Sequence, residues 1–217
     1  VTIFGGDEIT PKDEESEKIW QEIDSNLDVR EEGRADVFWG PTGDEGPCGP
    51  TTEIYVNGVE IWNVVFNEYY KAKDGNFTKL ANFGIDTGMG LERLLVQVQK
   101  KNNVYETDLF EGVAAKEERI VADHVKAALF LIADGVLPGN TGQGYILRRL
   151  IRRAVRYSDF LNTNLGGTET KLRFVARKII NTYKEAYSLN TSLAPEIAKE
   201  EEKFRLTLER GLKEIEK

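Results

Sequence analysis

Residues 52–69 read TEIYVNGVEIWNVVFNEY, and this stretch decides the fold. Two runs rich in β-branched and aromatic residues, 52–56 and 60–69, flank the dipeptide Asn57-Gly58. Asn-Gly between such runs is the strongest short-range signal for a β-hairpin, because both residues adopt positive φ readily. A second turn at Asp74-Gly75-Asn76 precedes another extended segment up to Ile85. The sequence therefore predicts an antiparallel sheet in its first hundred residues.

The residues before the hairpin predict a short strand, a helix and a loop. The strand covers 1–4, and the helix covers 14–23, with Pro11 just ahead of it as a start signal. Residues 40–50 then concentrate glycine and proline. Because proline lacks the N–H that a helix or a sheet ladder needs, this segment is predicted to be an ordered loop, and neither a helix nor a central strand.

Beyond Gly90 the spacing of apolar residues becomes helical. Helices are predicted over 91–101, 117–133, 145–160, 171–187 and 195–216, with a loop over 162–168. The fold class is therefore α+β. A partial antiparallel sheet with flanking helices is expected over residues 1–102, followed by an all-helical domain over residues 103–217.

The composition excludes several classes of protein. The chain has 217 residues, 40% of them apolar and 30% charged, which is typical of a globular protein with a buried core. No apolar run approaches the ~18 residues of a membrane span, so we expect a cytoplasmic location and no membrane partner. One cysteine and one histidine cannot supply a disulfide framework or a structural zinc site.

Charge is distributed unevenly along the chain, whose net charge is -8. Residues 7–32 contain eleven acidic and three basic residues, whereas residues 144–178 contain nine basic and two acidic ones. The basic segment could therefore hold a polyanion in spite of the acidic total.

The segment DTGMGLER at 86–93 joins the last extended run to a helix. Gly88 and Gly90 would let the backbone approach a ligand closely, and the positive end of the following helix would face that ligand. Arg93 could bind a phosphate through two hydrogen bonds, and Asp86 could hold a cation or an amine. The alternative is an ordinary glycine-rich turn with Arg93 on the surface.

Alternation along 60–66 predicts that Ile61, Asn63 and Val65 share one face of a strand. The other face would take Glu60, Trp62, Val64 and Phe66. An asparagine between two apolar residues suits a small polar ligand in a mostly apolar pocket. A hydrogen-bonded asparagine in a core strand is the alternative.

The helix predicted over 145–160 separates apolar residues from arginines. The apolar residues recur with helical period and predict a buried stripe of Leu147, Leu150, Ile151, Ala154 and Val155. The opposite face takes Arg148, Arg149, Arg152, Arg153 and Arg156. Arginine is favoured where phosphate is bound, which indicates a phosphate-bearing ligand; pairing with the acidic residues of 7–32 is the alternative. His124 is isolated and is more simply structural than functional.

Further motifs accompany these segments in a fixed order. They are FWGPTG at 38–43, GPCGP at 46–50, EIWNVVF at 60–66, DTGMGLER at 86–93, ADH at 122–124, ADGVLPGN at 133–140, GYILRR at 144–149 and TLERGL at 207–212. Together they resemble the alanyl-tRNA synthetases, which are class II ligases, over nearly the whole chain.

The resemblance implies an enzyme that activates alanine with ATP and Mg²⁺ and transfers it to tRNA(Ala). Arg93, with Gly90, would meet the ATP phosphates, and Asp86 would hold the alanine ammonium. The resemblance implies that the alanine pocket is completed by Trp39, Asn63, Val65 and Gly88. Glu53 and Glu60 would help to hold magnesium.

The resemblance also implies that residues 103–217 bind the acceptor stem of tRNA(Ala). Asn140 lies in the segment that reads the third base pair, a G·U wobble, and the arginines named above would contact the RNA. Motifs 1 and 2 of the family, which supply a dimer interface and an ATP-binding arginine, are not found in this sequence. The remaining synthetase segments would therefore be partners, and the chain alone is expected to be inactive. A non-catalytic tRNA-binding module and one subunit of a split synthetase are the alternatives.

Overall fold

Two units make up the chain, Val1–Val104 and Tyr105–Lys217. The computed structural model describes residues 1–110, 116–159, 161 and 170–215. The first unit contains strands β1 (Thr2–Phe4), β2 (Arg30–Glu32), β3 (Phe38–Trp39), β4 (Gly46–Val56), β5 (Val59–Lys71) and β6 (Phe77–Met89), with helices α1 (Glu14–Ile23), α2 (Arg34–Val37) and α3 (Leu91–Val98). The second contains helices α4 (Lys116–Ala133), α5 (Gly142–Ser158), α6 (Lys171–Tyr183) and α7 (Ala194–Ile215).

The six strands form a sheet with the order β2-β1-β4-β5-β6, and β3 pairs with β4. The predicted α+β class is confirmed. One departure from an antiparallel sheet is the pairing of β1 with β2, which is parallel. Helix α1 lies between these two strands in the sequence, and a crossover of that length is what a parallel pair requires.

The hairpin predicted at Asn57-Gly58 joins β4 to β5, and both turn residues have positive φ, 52° and 77°. The turn around Gly75 joins β5 to β6, as predicted. Strand β6 is longer than expected, because it continues past Ile85 to Met89. The expectation that the extended run ends at Ile85 was therefore wrong, because residues 86–89 pair with β5 and only Gly90 leads into α3.

The prediction of a loop over 40–50 was wrong in its second half, because Gly46–Pro50 form the start of β4, a central strand. A register shift between Cys48 and Thr51 accommodates Pro50, because a β-bulge tolerates a residue without a backbone N–H. Glycine is required beside it. A Cβ on Gly49 would lie 1.8 Å from the carbonyl oxygen of Phe66 on β5, so the close strand pairing excludes any side chain there.

Arg34 ties the N-terminal loop to the sheet. Its guanidinium carbon lies 3.8 Å from the ring centroid of Phe38 and 5.1 Å from that of Phe77. The same group forms an ion pair with Asp7 and donates to Thr10 Oγ1 at 2.9 Å. The bond from Arg34 holds the pKa of the Asp7 carboxyl well below its ordinary value.

The helices of the second unit share one apolar core. Its buried side chains include Val121, Val125 and Leu129 of α4, Leu147, Ile151 and Val155 of α5, Leu172, Ile179 and Ile180 of α6, and Ile197 of α7. The predicted stripe of α5 is thus buried, with Leu150 only half-buried. Among the described residues, no helix is both long and apolar enough to cross a membrane.

Helices α3 and α6 end three and four residues earlier than predicted, and α5 ends two residues earlier, at Ser158. Helix α3 stops at Val98 because Lys100 has a positive φ of 52°, which a helix cannot continue through. Helix α6 stops at Tyr183 rather than 187. The loop predicted over 162–168 lies outside the described residues.

Candidate active site and nucleic-acid interface

The register of the first unit brings most of the predicted alanine pocket onto one face of the sheet. Asn63 of β5 lies opposite Gly88 of β6, and Val65 lies opposite Asp86. Residues directly opposite each other in an antiparallel pair share a face, and so do residues two apart along a strand. These four residues therefore form two adjacent rows across the strands. In each row, the two residues are more than twenty positions apart in the sequence.

The same rows extend onto β4, where Glu53 lies opposite Asn63 and Thr51 lies opposite Val65. Val65 and Thr51 are buried, whereas Asp86 and Gly88 are exposed. No heavy atom lies within 4 Å of the position that a Cβ on Gly88 would take. The face thus has an apolar floor at Val65, an open space above Gly88 and a carboxylate at Asp86, which suits a small ammonium-bearing ligand.

Glu53 restrains the Asn63 side chain of this row through a hydrogen bond. It is 8% exposed and accepts hydrogen bonds from Tyr55 OH at 2.7 Å, from Asn63 Nδ2 at 3.3 Å and from Thr2 Oγ1 at 3.4 Å. The bond to Glu53 raises the pKa of Tyr55 to about 12. Since Glu53 takes the Nδ2 end of Asn63, the Oδ1 end of that amide remains as an acceptor.

Trp39 is the one predicted pocket residue that lies outside these rows. It belongs to β3, opposite Gly49, and is 39% exposed. Its role in the pocket stays a prediction.

Arg93 lies on the first turn of α3, as predicted, but it is paired with Glu60. Its Nη1 donates to Glu60 Oε2 at 2.7 Å and to the Glu60 carbonyl oxygen at 3.2 Å. Its side chain is 53% exposed. Exposed ion pairs contribute at most about 1 kcal/mol, so a phosphate could displace the glutamate from this arginine.

The prediction that Glu60 shares a face with Trp62 was wrong. A register shift between Ile54 and Tyr55 inserts an extra residue in β5 and sets Glu60 opposite Tyr55. Because Tyr55 reaches Glu53, this pairing places Glu60 on the Glu53 face.

The described residues do not fit a magnesium ion held by Glu53 and Glu60. The Glu53 carboxylate already accepts three protein hydrogen bonds, and the Glu60 carboxylate accepts one from Arg93. Within the part of the chain that the structure describes, no group of three or more metal-ligating side chains is found.

In the second unit, four of the five arginines of α5 line a cleft of about 420 Å³. Its walls are Arg149, Arg152, Arg153 and Arg156 with His124, Ile146, Leu150 and Phe204. We call it the arginine cleft. His124 faces these arginines while its Nδ1 lies 2.9 Å from Asp123 Oδ2. The sequence did not reveal that His124 lines this cleft, because nothing in it shows which helix α4 packs against; the interpretation of His124 as a structural residue stays a prediction.

The five arginines are not equivalent. Arg152 donates its Nε–H to the buried Glu200 of α7 at 2.7 Å and stacks on Phe204. Arg148 donates to Asn140 Oδ1, and its guanidinium lies 5.7 Å from the Tyr145 ring centroid. Arg149, Arg153 and Arg156 are exposed, and among the described residues no carboxylate lies within salt-bridge distance of them. These three are the arginines best placed to meet phosphate.

A comparison with known families is now informative. The sequence pattern described as tRNA synthetases class II (A) matches residues 56–217, which is most of the chain. The chain belongs to the class II tRNA synthetase (A) family. The matched span of this synthetase chain includes Asn63, Asp86, Arg93 and the arginine cleft, whereas Trp39 and Glu53 precede it.

Individual relatives of this synthetase chain are proteins called alanine–tRNA ligase. The one from Treponema pallidum is 37% identical over 255 aligned positions that cover all of this chain and 42% of the relative. The one from Borreliella afzelii is 37% identical, with 99% and 43% covered. The one from Petrotoga mobilis is 34% identical, with 94% and 28% covered. The chain therefore spans less than half the length of these relatives.

A second cavity, of about 550 Å³, lies beside the Glu53 row of the synthetase sheet and was not foreseen from the sequence. Its acidic lining residues are Asp28, Glu32, Asp36 and Glu53, with Arg30 paired to Asp28. This lining would repel a triphosphate, so phosphate is more compatible with the Arg93 end of the sheet.

Proposed function

We propose that the chain is the part of an alanine–tRNA ligase that holds alanine and binds the acceptor stem of tRNA(Ala). The single observation that carries this proposal is the paired placement of Asn63 with Gly88 and of Val65 with Asp86 on one sheet face. The arginine cleft of the second unit and the identity to alanine–tRNA ligases support it.

Alanine would bind with its ammonium at Asp86 and Asn63. The Asp86 carboxylate supplies a charge-assisted acceptor, and the Asn63 Oδ1 supplies a second acceptor whose orientation Glu53 fixes. The methyl group would lie in the open space above Gly88, against the Val65 floor. Gly88 leaves room for this methyl group because it carries no side chain of its own.

Activation would then join the alanine carboxylate to the α-phosphorus of ATP. A carboxylate oxygen attacks the phosphorus, pyrophosphate leaves, and alanyl-adenylate remains. Arg93 would exchange its bonds with Glu60 for bonds to the phosphates and offset their charge as the bond to pyrophosphate breaks. Magnesium would arrive with ATP as its counter-ion, since Mg²⁺ commonly binds through substrate phosphates.

Transfer would place the alanyl group on the terminal ribose of tRNA(Ala), with AMP as the leaving group. Arg149, Arg153 and Arg156 would contact stem phosphates, and Asn140 would contact a base edge. Protein synthesis takes place in the cytoplasm, where we expect the chain to act. The remaining synthetase segments, including motifs 1 and 2, would supply further ATP-binding groups.

The decisive experiment is alanine-dependent ATP–pyrophosphate exchange. The 217-residue chain is assayed alone and after mixing with a polypeptide that carries motifs 1 and 2 of the same enzyme. We expect little exchange from the chain alone and restored exchange on mixing, with Asp86→Asn, assayed at low alanine concentration, as the control with weakened exchange. Exchange that never exceeds the Asp86→Asn background would contradict the proposal of an alanine site.

A second candidate function is a non-catalytic tRNA-binding module, which the arginine cleft favours. Its exposed residues Arg149, Arg153 and Arg156 have no carboxylate within salt-bridge distance in the part of the chain that the structure describes, and RNA binding by them would need no contribution from the sheet. This candidate predicts acceptor-stem binding without any alanine-dependent exchange, even after mixing. A split synthetase predicts both acceptor-stem binding and alanine-dependent exchange after mixing.

A further inference from the structure

Tyr55 and Asn63 are joined through the two oxygens of one carboxylate. The Tyr55 hydroxyl donates to Glu53 Oε2 at 2.7 Å, and Asn63 Nδ2 donates to Glu53 Oε1 at 3.3 Å. Because both oxygens belong to one planar group, a bond that fixes Oε2 also fixes the direction of Oε1. The tyrosine is therefore able to act on the asparagine through Glu53.

The strand pairing places these three side chains on the same face of the sheet. Glu53 and Tyr55 are two residues apart on β4, and Asn63 of β5 lies opposite Glu53. The register shift after Ile54 adds its extra residue to β5, so Tyr55 keeps the face that the alternation of β4 gives it. The contact between hydroxyl and carboxylate thus follows from positions within the strands.

Tyr55 forms the shortest of the three hydrogen bonds that the Glu53 carboxylate accepts. The bond from Thr2 Oγ1 to the same oxygen is 3.4 Å long. A distance of 2.7 Å between a hydroxyl and a carboxylate oxygen is typical of a strong, charge-assisted bond. This bond raises the pKa of the Tyr55 hydroxyl, which therefore keeps its proton and remains a donor at physiological pH. Of the three donors, Tyr55 restrains the carboxylate most.

The direction of Glu53 Oε1 decides which end of the Asn63 amide faces a ligand. Oε1 is an acceptor, so it binds the Nδ2 end of the amide and repels the Oδ1 end. While Tyr55 holds the carboxylate, Asn63 offers its Oδ1 acceptor, which suits the N–H donors of an ammonium group. Loss of the Tyr55 bond would let the carboxylate rotate and the amide turn, and a turned amide sets its own N–H donors against the ammonium.

Tyr55 lies away from the proposed ammonium site. It belongs to β4, whereas Asp86 belongs to β6, and β5 lies between these two strands. Neighbouring strands are about 4.8 Å apart, so the backbones that carry the two residues are separated by roughly 10 Å. The Tyr55 side chain is 41% exposed, and removal of its hydroxyl leaves the buried core intact.

We propose that Tyr55 is a positioning residue for the substrate ammonium, acting through Glu53 on the Asn63 amide. The proposal rests on the function proposed above, in which Asn63 accepts a hydrogen bond from alanine. Tyr55 would contribute to alanine binding and not to the attack on ATP, because Asn63 meets only the amino group of the substrate.

The test compares Tyr55→Phe with Tyr70→Phe in ATP–pyrophosphate exchange by the complete enzyme. Each variant loses one hydroxyl that is bonded to a glutamate, since Tyr70 is bonded to Glu45 near the far end of β5. We expect Tyr55→Phe to raise the KM for alanine roughly fivefold, the value of one hydrogen bond, and to change kcat and the KM for ATP by less than about twofold. Tyr70→Phe should leave all three values unchanged. An unchanged KM for alanine in Tyr55→Phe, or equal changes in both KM values, would overturn the positioning role.

Nuclear magnetic resonance of the 217-residue chain observes the amide directly. The resonances of the Asn63 side-chain NH₂ group are assigned by their disappearance in Asn63→Asp. We expect Tyr55→Phe to shift these resonances and Tyr70→Phe to leave them in place. Unshifted resonances in Tyr55→Phe would contradict the link between the tyrosine and the amide.

A double-mutant cycle tests the route through Glu53. In a Glu53→Gln background, Tyr55→Phe should raise the KM for alanine little further, because the carboxylate through which Tyr55 acts has been removed. Additive increases would overturn this route. If Glu53→Gln does not fold, the kinetics and the amide resonances of Tyr55→Phe alone decide the question.

Asp86→Asn separates this inference from the proposed function. If Asp86→Asn raises the KM for alanine and Tyr55→Phe does not, the positioning role is overturned and the proposed function stands. If neither substitution affects the KM for alanine, the proposed alanine site fails, and the positioning role fails with it.

Discussion

Arg152 and Glu200 join α5 to α7 through an Nε–Oε1 distance of 2.7 Å. Glu200 is 5% exposed, and Arg152 also covers Phe204. This arginine therefore differs from Arg149, Arg153 and Arg156, although all four lie on one helix face.

Arg152→Gln should destabilise the second unit, because it leaves the Glu200 carboxylate buried without its cation. We expect a loss of about 1–3 kcal/mol, since the arginine side chain is partly exposed. Urea unfolding followed by circular dichroism measures the loss. Arg153→Gln is the matched control and should change stability by less than about 0.5 kcal/mol. Equal stability of the two variants would contradict a structural role for Arg152.

Salt titrations should separate the same arginines in the opposite way. Each phosphate contact adds roughly 0.7–0.9 to the slope of log affinity against log salt concentration. Glutamine at position 149, 153 or 156 should each lower that slope by about one unit for an acceptor-stem hairpin, without a change in melting temperature. Arg152→Gln should leave the slope nearly unchanged. An unchanged slope in all three variants at positions 149, 153 and 156 would contradict phosphate binding in the arginine cleft.

Asp86→Asn should weaken alanine binding in the complete enzyme. The substitution keeps the size of the side chain and removes the counter-charge for the ammonium. A lost charge-assisted hydrogen bond costs roughly 1.5–3 kcal/mol, or about ten- to a hundred-fold in apparent alanine affinity. The KM values for alanine and ATP in pyrophosphate exchange measure this. Asp44→Asn, at an exposed site on the same unit, is the charge-matched control. Equal losses for both substrates would mean that Asp86 maintains the strand rather than the ammonium site.

Gly88→Ala should narrow the proposed pocket without harming the fold. The new methyl group meets no heavy atom within 4 Å, so the strand should tolerate it. In the bound complex the same methyl would occupy the space of the substrate side chain, and activity should shift from alanine toward glycine by roughly tenfold, the value of one misplaced methyl group. Gly84→Ala on the same strand has its nearest atom at 3.8 Å and should leave the preference unaltered. An unaltered preference for alanine over glycine in Gly88→Ala would show that the substrate methyl group binds elsewhere.

Acid should destabilise the first unit through Asp7. The ion pair with Arg34 lowers the folded-state pKa of Asp7 below its ordinary value of 3.8. A carboxyl with a lowered folded-state pKa stabilises the fold above its unfolded-state pKa, and this contribution is lost as pH falls from about 5 through the folded-state value. Unfolding free energy measured between pH 7 and pH 2.5 should therefore fall less steeply in Asp7→Asn. Asp44→Asn, at an exposed site on the same unit, should retain the steep dependence. An Asp7→Asn profile parallel to the unsubstituted one would contradict this role.

The elements that local sequence patterns specify were predicted well. The apolar period of α5 correctly gave its buried residues Leu147, Ile151 and Val155, because one helix face must meet the core. The Asn57-Gly58 turn was equally predictable, since its two positive φ values are a local requirement.

The features that depend on distant partners were not predicted. Proline in 46–50 argued against a strand, but the neighbours that make a bulge favourable lie on β3 and β5. The pairing of Arg152 with Glu200 spans 48 positions in the sequence, and a helical pattern does not reveal which of five arginines meets a buried carboxylate. The opposition of Asn63 to Gly88 likewise follows from sheet register, which no single strand encodes.

Gly43 and Gly49 lie in the same segment, residues 40–50, but we expect them to change at different rates during evolution. A side chain on Gly49 would collide with the Phe66 carbonyl, whereas the nearest atom to a Cβ on Gly43 is 4.0 Å away. Substitutions at Gly43 are therefore open to drift, and those at Gly49 are removed by selection on folding before any effect on catalysis arises. Invariance of Gly49 across distant homologues would record the spacing of two strands, not contact with a substrate.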